Sequence, residues 1–195
     1  EEEDSADAET EPEEETISAE LFGKWSVSDI EYSDPSTERY ITVTPIAHTM
    51  GRHSNKQFQK SEISVVERLI NRLMQTDENT GKKQQATTIV SEAFDIIHER
   101  TDANPVQTLI EAVENSAPRE ETVRLKYGGI SVPKAVDVAP QRRVDQALKF
   151  LAEGVYGTPY SSPTLSPHAL ASQLTDAATH AVHTPAIALT EELVC

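Results

Sequence analysis

The apolar residues of this chain keep a helical period from about residue 61 to 117, switch to a period of two over 121–138, and return to the helical period at 139. That switch limits the fold more than any other feature. Two short strands that neighbour each other in sequence have to sit among helices, and a lone strand pair cannot build a core of its own. In "SEISVVERLINRLMQ" (61–75), Val66, Leu69, Ile70, Leu73 and Met74 recur at three-four spacing, with Ser61 as the expected N-cap. "TGKKQQATTIVSEAFDIIHERT" repeats the pattern through Ile89, Val90, Ala93, Phe94 and Ile97. "NPVQTLIEAVENSAP" offers Asn104 as cap, Pro105 at the first helical position and Ala117-Pro118 as a stop. In 121–138, Val123, Leu125 and Tyr127 alternate with Arg124 and Lys126, Gly128-Gly129 supplies a tight turn, and Pro133 keeps the return arm at an edge. Helical spacing resumes over 139–157 through Val144, Ala147, Leu148, Leu151, Ala152 and Val155, and a last helix is expected at about 166–178. The resulting expectation is a mainly α chain: a bundle of five to six helices, a protruding β-hairpin and an irregular N-terminal arm.

Charge divides the same chain differently. The formal net charge is −16, but residues 1–20 hold eleven acids and no base. Such a block buries no apolar surface, so 1–20 reads as an acidic disordered leader. Residues 21–60 read as an arm with a turn at Ser33-Asp34-Pro35 and a short strand at Arg39–Thr44. Residues 61–178 form the helical domain with its hairpin at 121–138, and 179–195 a weakly structured tail. Residues 51–150 carry 15 of the 17 Lys and Arg against 14 acids, and from Phe150 onward there is no Lys or Arg at all. The base is concentrated mid-chain. Acids spread over an otherwise foldable domain also suit a protein kept soluble in very high salt. No apolar run approaches the roughly 20 residues of a spanning helix, nothing resembles a signal peptide, and the default is a soluble intracellular protein.

Enzyme chemistry finds little support. The single cysteine, Cys195, excludes a disulfide framework or thiolate metal site within one chain. His180 and His183 lack a carboxylate at ligand spacing. Gly81-Lys82-Lys83 fails as a phosphate-binding loop, because Thr76 stands where the first glycine belongs and Lys83 where Ser or Thr belongs. No catalytic residue, metal or cofactor is expected. The anomaly is where the base sits. Lys82-Lys83 and Arg142-Arg143 open two helices, where cations oppose the macrodipole by about 0.3–1 kcal/mol each. Together with one basic hairpin face and with Arg52, Lys56 and Lys60 in the acid-free stretch "GRHSNKQFQK", they read as one surface collecting phosphates.

These segments also carry a family resemblance. "GKK", "FDIIHERT", "NPVQ", "YGG" and "PQRR", with the leader "LFGKWSVSDIE" and "GRHSNKQF", make roughly residues 21–178 similar to the small-subunit ribosomal protein family called S-seven, in its archaeal branch. The acidic leader points to a halophilic member. The resemblance implies a structural, non-catalytic constituent of the small ribosomal subunit, cytoplasmic in the ribosome. It implies a primary binder of small-subunit ribosomal RNA that nucleates assembly of the subunit head, near the decoding centre and the exit tRNA site at the subunit interface. The implied partners are that RNA, neighbouring small-subunit proteins, and exit-site tRNA or mRNA near the hairpin, with no membrane. By motif, Lys82, Lys83, Arg124, Lys126, Arg142 and Arg143 would face RNA, Arg52, Lys56 and Lys60 would belong to an RNA-penetrating arm, and Arg68, Arg72 and Lys149 complete the basic set. One departure stands out: family members usually end in a charged helical stretch, whereas "HAVHTPAIALTEELVC" has neither Lys nor Arg. The rival readings are a helical protein-interaction module with an acidic partner and, behind it, a phosphate-transfer enzyme.

Overall fold

The computed structural model describes residues 20–28, 30–51, 53–75, 79–157, 166–181 and 183–192; the leader expected over 1–20 therefore lies outside it except for Glu20, as do Arg52 and Cys195. In order, the described elements are β1 (Glu20–Leu21), β2 (Trp25–Ser26), α1 (Pro35–Glu38), two 3₁₀ turns (His53–Asn55 and Gln59–Glu62), α2 (Val65–Leu73), α3 (Lys83–Thr101), α4 (Pro105–Asn115), β3 (Glu120–Tyr127), β4 (Ile130–Asp137), α5 (Pro140–Gly157), α6 (Pro167–Ala178) and α7 (Pro185–Glu192). The mainly helical architecture with one long hairpin is the expected one.

The core is built from the helical faces that the periodicity marks. Leu69, Ile70 and Leu73 of α2, Val90, Phe94 and Ile97 of α3, and Leu109, Ile110 and Val113 of α4 are fully buried. They meet Val144, Leu148 and Leu151 of α5 and Leu170 and Leu174 of α6. Helix α6 packs chiefly on α3 and α4, and α7 on α5. Fully burying each such side chain contributes about 1.5–3 kcal/mol, so one continuous core holds six of the helices. Helix ends follow local chemistry. Asn104 caps α4, its Oδ1 accepting from the Val106 N–H at 3.0 Å, with Pro105 at the first helical position. At the end of α3, Asp102 adopts the left-handed conformation and its N–H closes onto the His98 carbonyl at 2.8 Å.

Two expectations for the arm are corrected. Ser61 does not cap α2: the helix begins at Val65, and the Ser61 hydroxyl donates to the Phe58 carbonyl at 2.6 Å instead. No strand forms at Arg39–Thr44. The Tyr40 carbonyl accepts from Arg68 rather than from a strand partner, and only the Thr42–Ser64 pair makes a bridge. The arm is held instead by side chains of the helices. Lys24 reaches Asp95 at 2.9 Å, Phe22 packs edge-on against Phe94, and Trp25 meets His98 at 5.0 Å between ring centroids. Gln107 exchanges two hydrogen bonds with the Glu31 backbone, and the Glu114 carboxylate accepts from the Ser33 and Asp34 N–H groups.

The hairpin pairs Glu120 with Asp137 through to Tyr127 with Ile130. Gly128 and Gly129 have φ of +55° and +92°, the double positive φ of a two-residue turn that matches strand twist. One face carries Val123, Leu125, Tyr127, Ile130, Val132 and Val136 with Lys134; the other carries Arg124, Lys126, Ser131 and Pro133. Every one of the β4 residues is exposed, so the hairpin stands off the body. The tail also departs from expectation. Between Pro185 and Glu192 it forms α7, with Ala186 and Ile187 buried and the Thr190 hydroxyl donating to the Ser116 carbonyl at 3.1 Å. Its apolar residues run consecutively over 186–189 in a helix of only eight residues, which makes its periodicity faint in the sequence.

Candidate RNA-binding surface

The first turn of α2 organises the basic end of the molecule. Its neighbouring residues Glu67 and Arg68 are both buried, and each reaches a different helix start. Glu67 accepts from Lys83 Nζ, on the first residue of α3, at 2.6 Å. Its other oxygen accepts from the Thr49 N–H at 3.2 Å and the Thr49 hydroxyl at 2.9 Å, which pins the arm. Burial pushes the Glu67 carboxyl up, but the bonds from Lys83 and Thr49 outweigh it and hold it below the usual carboxylate range. Arg68 donates to the Tyr40 carbonyl at 2.9 Å and to Asp145, in the second turn of α5, at 2.8 Å. Lys60 pairs with the second Asp145 oxygen. Burial raises the Asp145 carboxyl as well, and the hydrogen bonds from Lys60 and Arg68 bring it below its ordinary value. So the starts of α3 and α5 and the turn at 53–62 all converge on one turn of α2.

Within each basic pair one cation points in and one points out. Lys83 binds Glu67, while Lys82 is exposed and makes no ion pair with a described residue. Arg143 is 9% exposed and donates to Ser36 Oγ at 2.7 Å and Asp34 Oδ2 at 2.9 Å. The hydrogen bond from Ser36, with that of Arg143, holds the Asp34 carboxyl low. Arg142 is 54% exposed and forms a bidentate pair with Glu121 at the hairpin base, at 2.7 and 2.9 Å. That hydrogen bond in turn depresses the Glu121 carboxyl. Three of the four cations that oppose the helix dipoles therefore meet the chain's own carboxylates, Lys83 at Glu67, Arg143 at Asp34 and Arg142 at Glu121. An external anion is not needed to explain Lys83 or Arg143.

The remaining candidates sort by surroundings. Lys56, Arg124 and Lys126 are exposed and form no ion pair with a described residue. Arg72 is half-buried and donates to Gln75 at 3.2 Å, and Lys149 pairs along its helix with Glu153 at 3.4 Å. Arg68 is structural in its contacts. Lys134, exposed and opposite Val123 on the hairpin, escaped the sequence reading although the period-two alternation through "ISVPKAV" could have exposed it. Among the described residues no group of three or more His, Cys, Asp or Glu could hold a metal, and no helix is long and apolar enough to cross a membrane.

A helical body with cations turned outward at one end and a projecting hairpin has the make-up of a structural ribosomal protein. The family described as ribosomal protein S7p/S5e matches residues 37–192, and the chain belongs to that family, which is not a family of enzymes. It is 74% identical to the small ribosomal subunit protein uS7 of Haloarcula marismortui over 187 residues, 96% of this chain and 91% of the relative. It is 72% identical to that of Halococcus morrhuae over 179 residues (92% and 88%), and 54% identical to that of Methanococcoides burtonii over 156 residues (79% and 84%). The chain is thus a small-subunit ribosomal protein of the kind found in halophilic archaea. The match runs through α7, so the stretch up to Glu192 without Lys or Arg is family sequence.

Proposed function

We propose that this chain binds small-subunit ribosomal RNA directly and nucleates assembly of the subunit head, at the subunit interface near the decoding centre and the exit tRNA site. The observation that carries the reading is the outward set at one end of the bundle: Lys56, Lys60, Lys82 and Arg142, extended along the hairpin by Arg124 and Lys126 on one face and Lys134 on the other. A chain of net charge −16 keeps these cations exposed, and among the described residues only Lys60 and Arg142 of the set pair with a carboxylate. Such a surface suits phosphate, and the hairpin's basic face suits an RNA groove or a tRNA backbone. Membership of the small subunit implies ribosomal RNA and neighbouring ribosomal proteins as partners. The test is binding of the full chain, in molar potassium chloride, to a fragment spanning the head domain of small-subunit RNA and to an unrelated structured RNA of equal length. The head fragment is expected to bind more tightly. Equal affinity for both would reduce the protein to a general polyanion binder and contradict the reading.

A further inference from the structure

Between the two 3₁₀ turns, α2 and the start of α5 lies an open cleft of about 600 Å³, within the range of roughly 300–1,000 Å³ that takes a small ligand. At its rim stands Phe58, 59% exposed, with φ of +63°. A bulky residue rarely adopts that conformation, and here the Ser61 N–H and hydroxyl both donate to the Phe58 carbonyl, at 3.0 and 2.6 Å, to hold it. An aromatic ring kept in water on a strained backbone does little for the core. Around it the cleft is lined by Lys56, Lys60, Asn71, Gln75 and Gln141, and by no carboxylate among the described residues. Gln141 also carries a buried Nε2 that donates to no described acceptor.

We propose that this cleft takes one unstacked RNA nucleotide, its base lying on the Phe58 ring, its phosphate at Lys56 and Lys60, and its edge read by the amides of Asn71, Gln75 and Gln141. The inference rests on the RNA-binding reading above and adds a single-stranded contact to it. A base inside a duplex offers no free face, so the occupant is a bulged or looped nucleotide. Lys60 keeps its bond to Asp145 behind the cleft, while Lys56 pairs with no described carboxylate, and cations beside amides suit a nucleotide better than a basic or apolar peptide.

The test is a salt titration of the full chain against the head-domain RNA fragment, comparing wild type with Phe58→Leu, Phe58→Tyr and Lys82→Gln. Phe58→Leu is expected to weaken binding roughly ten- to a hundredfold, the loss of one base–aromatic stack, with an unchanged salt slope. Phe58→Tyr should restore affinity, and circular dichroism should be the same for all four. Wild-type affinity in Phe58→Leu, with Lys82→Gln still weakened, would overturn the nucleotide cleft and leave the RNA reading intact. No binding by wild type would overturn both. Competition at the cleft by an acidic peptide, lost in Phe58→Leu while RNA binding is kept, would assign the cleft to a protein partner instead.

Discussion

Lys83 and Arg143 occupy helix starts where a cation is unfavourable, and both are tied to carboxylates of other elements. Glu67 is 3% exposed on its side chain, so removing Lys83 strands a buried charge. Lys83→Gln should cost toward the lower end of the ~3–5 kcal/mol of a broken buried pair, because Thr49 still donates to Glu67. Chemical denaturation should show this as a lowered midpoint, while Lys82→Gln leaves the midpoint unchanged. The carboxylates add a pH dependence. Asp145 and Glu67 titrate below their unfolded values, so their contribution is present above about pH 4 and is lost as the pH falls through the lower folded values. Asp145→Asn should therefore lower the urea midpoint at pH 7 and lower it less at pH 3, where the unfolded carboxyl is mostly protonated. A difference that stays constant between the two pH values would contradict the pairing. At this scale the sequence shows what is local. Asn104 and Pro105 could be read as a cap because the capped N–H is two residues away, whereas Arg68 and Arg143 find their acids 77 and 109 residues away. Residue type and helix position mark such cations as anomalous without saying which of two neighbours turns inward.

The hairpin and α7 make opposite cases at the level of elements. Period-two alternation and Gly128-Gly129 make the hairpin legible, and its exposure shows that it adds little to the core: Val132 is 45% exposed and Tyr127 65%. Helix α7 contributes Ala186 and Ile187 to the buried set from a stretch whose apolar residues are contiguous and whose eight residues are too short to show a period. Removing residues 124–134 and rejoining the arms should leave a folded protein, because none of these residues belongs to the buried core. Thermal melting within a few degrees of wild type, together with impaired tRNA-site behaviour or translational fidelity, is the expected outcome. Unfolding would mean that the strand pair supports the helices after all. The absent strand at Arg39–Thr44 teaches the same lesson from the other side. β-branched residues there signal extended backbone, but Arg68 claims the Tyr40 carbonyl, and long-range side-chain bonds decide the outcome.

Across the whole molecule, charge is partitioned rather than averaged. Eleven acids lie in residues 1–20, and 15 of the 17 Lys and Arg lie between 51 and 150. Like charges repel phosphate, so deleting residues 1–19 should leave RNA affinity equal or better in a binding titration, and a clear loss would assign that segment a contact of its own. Molar salt shrinks every ionic term, which places more weight on shape and direct hydrogen bonds at the outward cations. Each basic pair is thus predicted to divide, one cation for the fold and one for RNA. The most direct test of this division is the slope of log affinity against log salt for the head-domain RNA, measured for wild type, Lys82→Gln and Arg142→Gln beside their melting temperatures. Each substitution is predicted to flatten the slope by about 0.7–0.9 with melting unchanged. Lines parallel to wild type for both variants would contradict the claim.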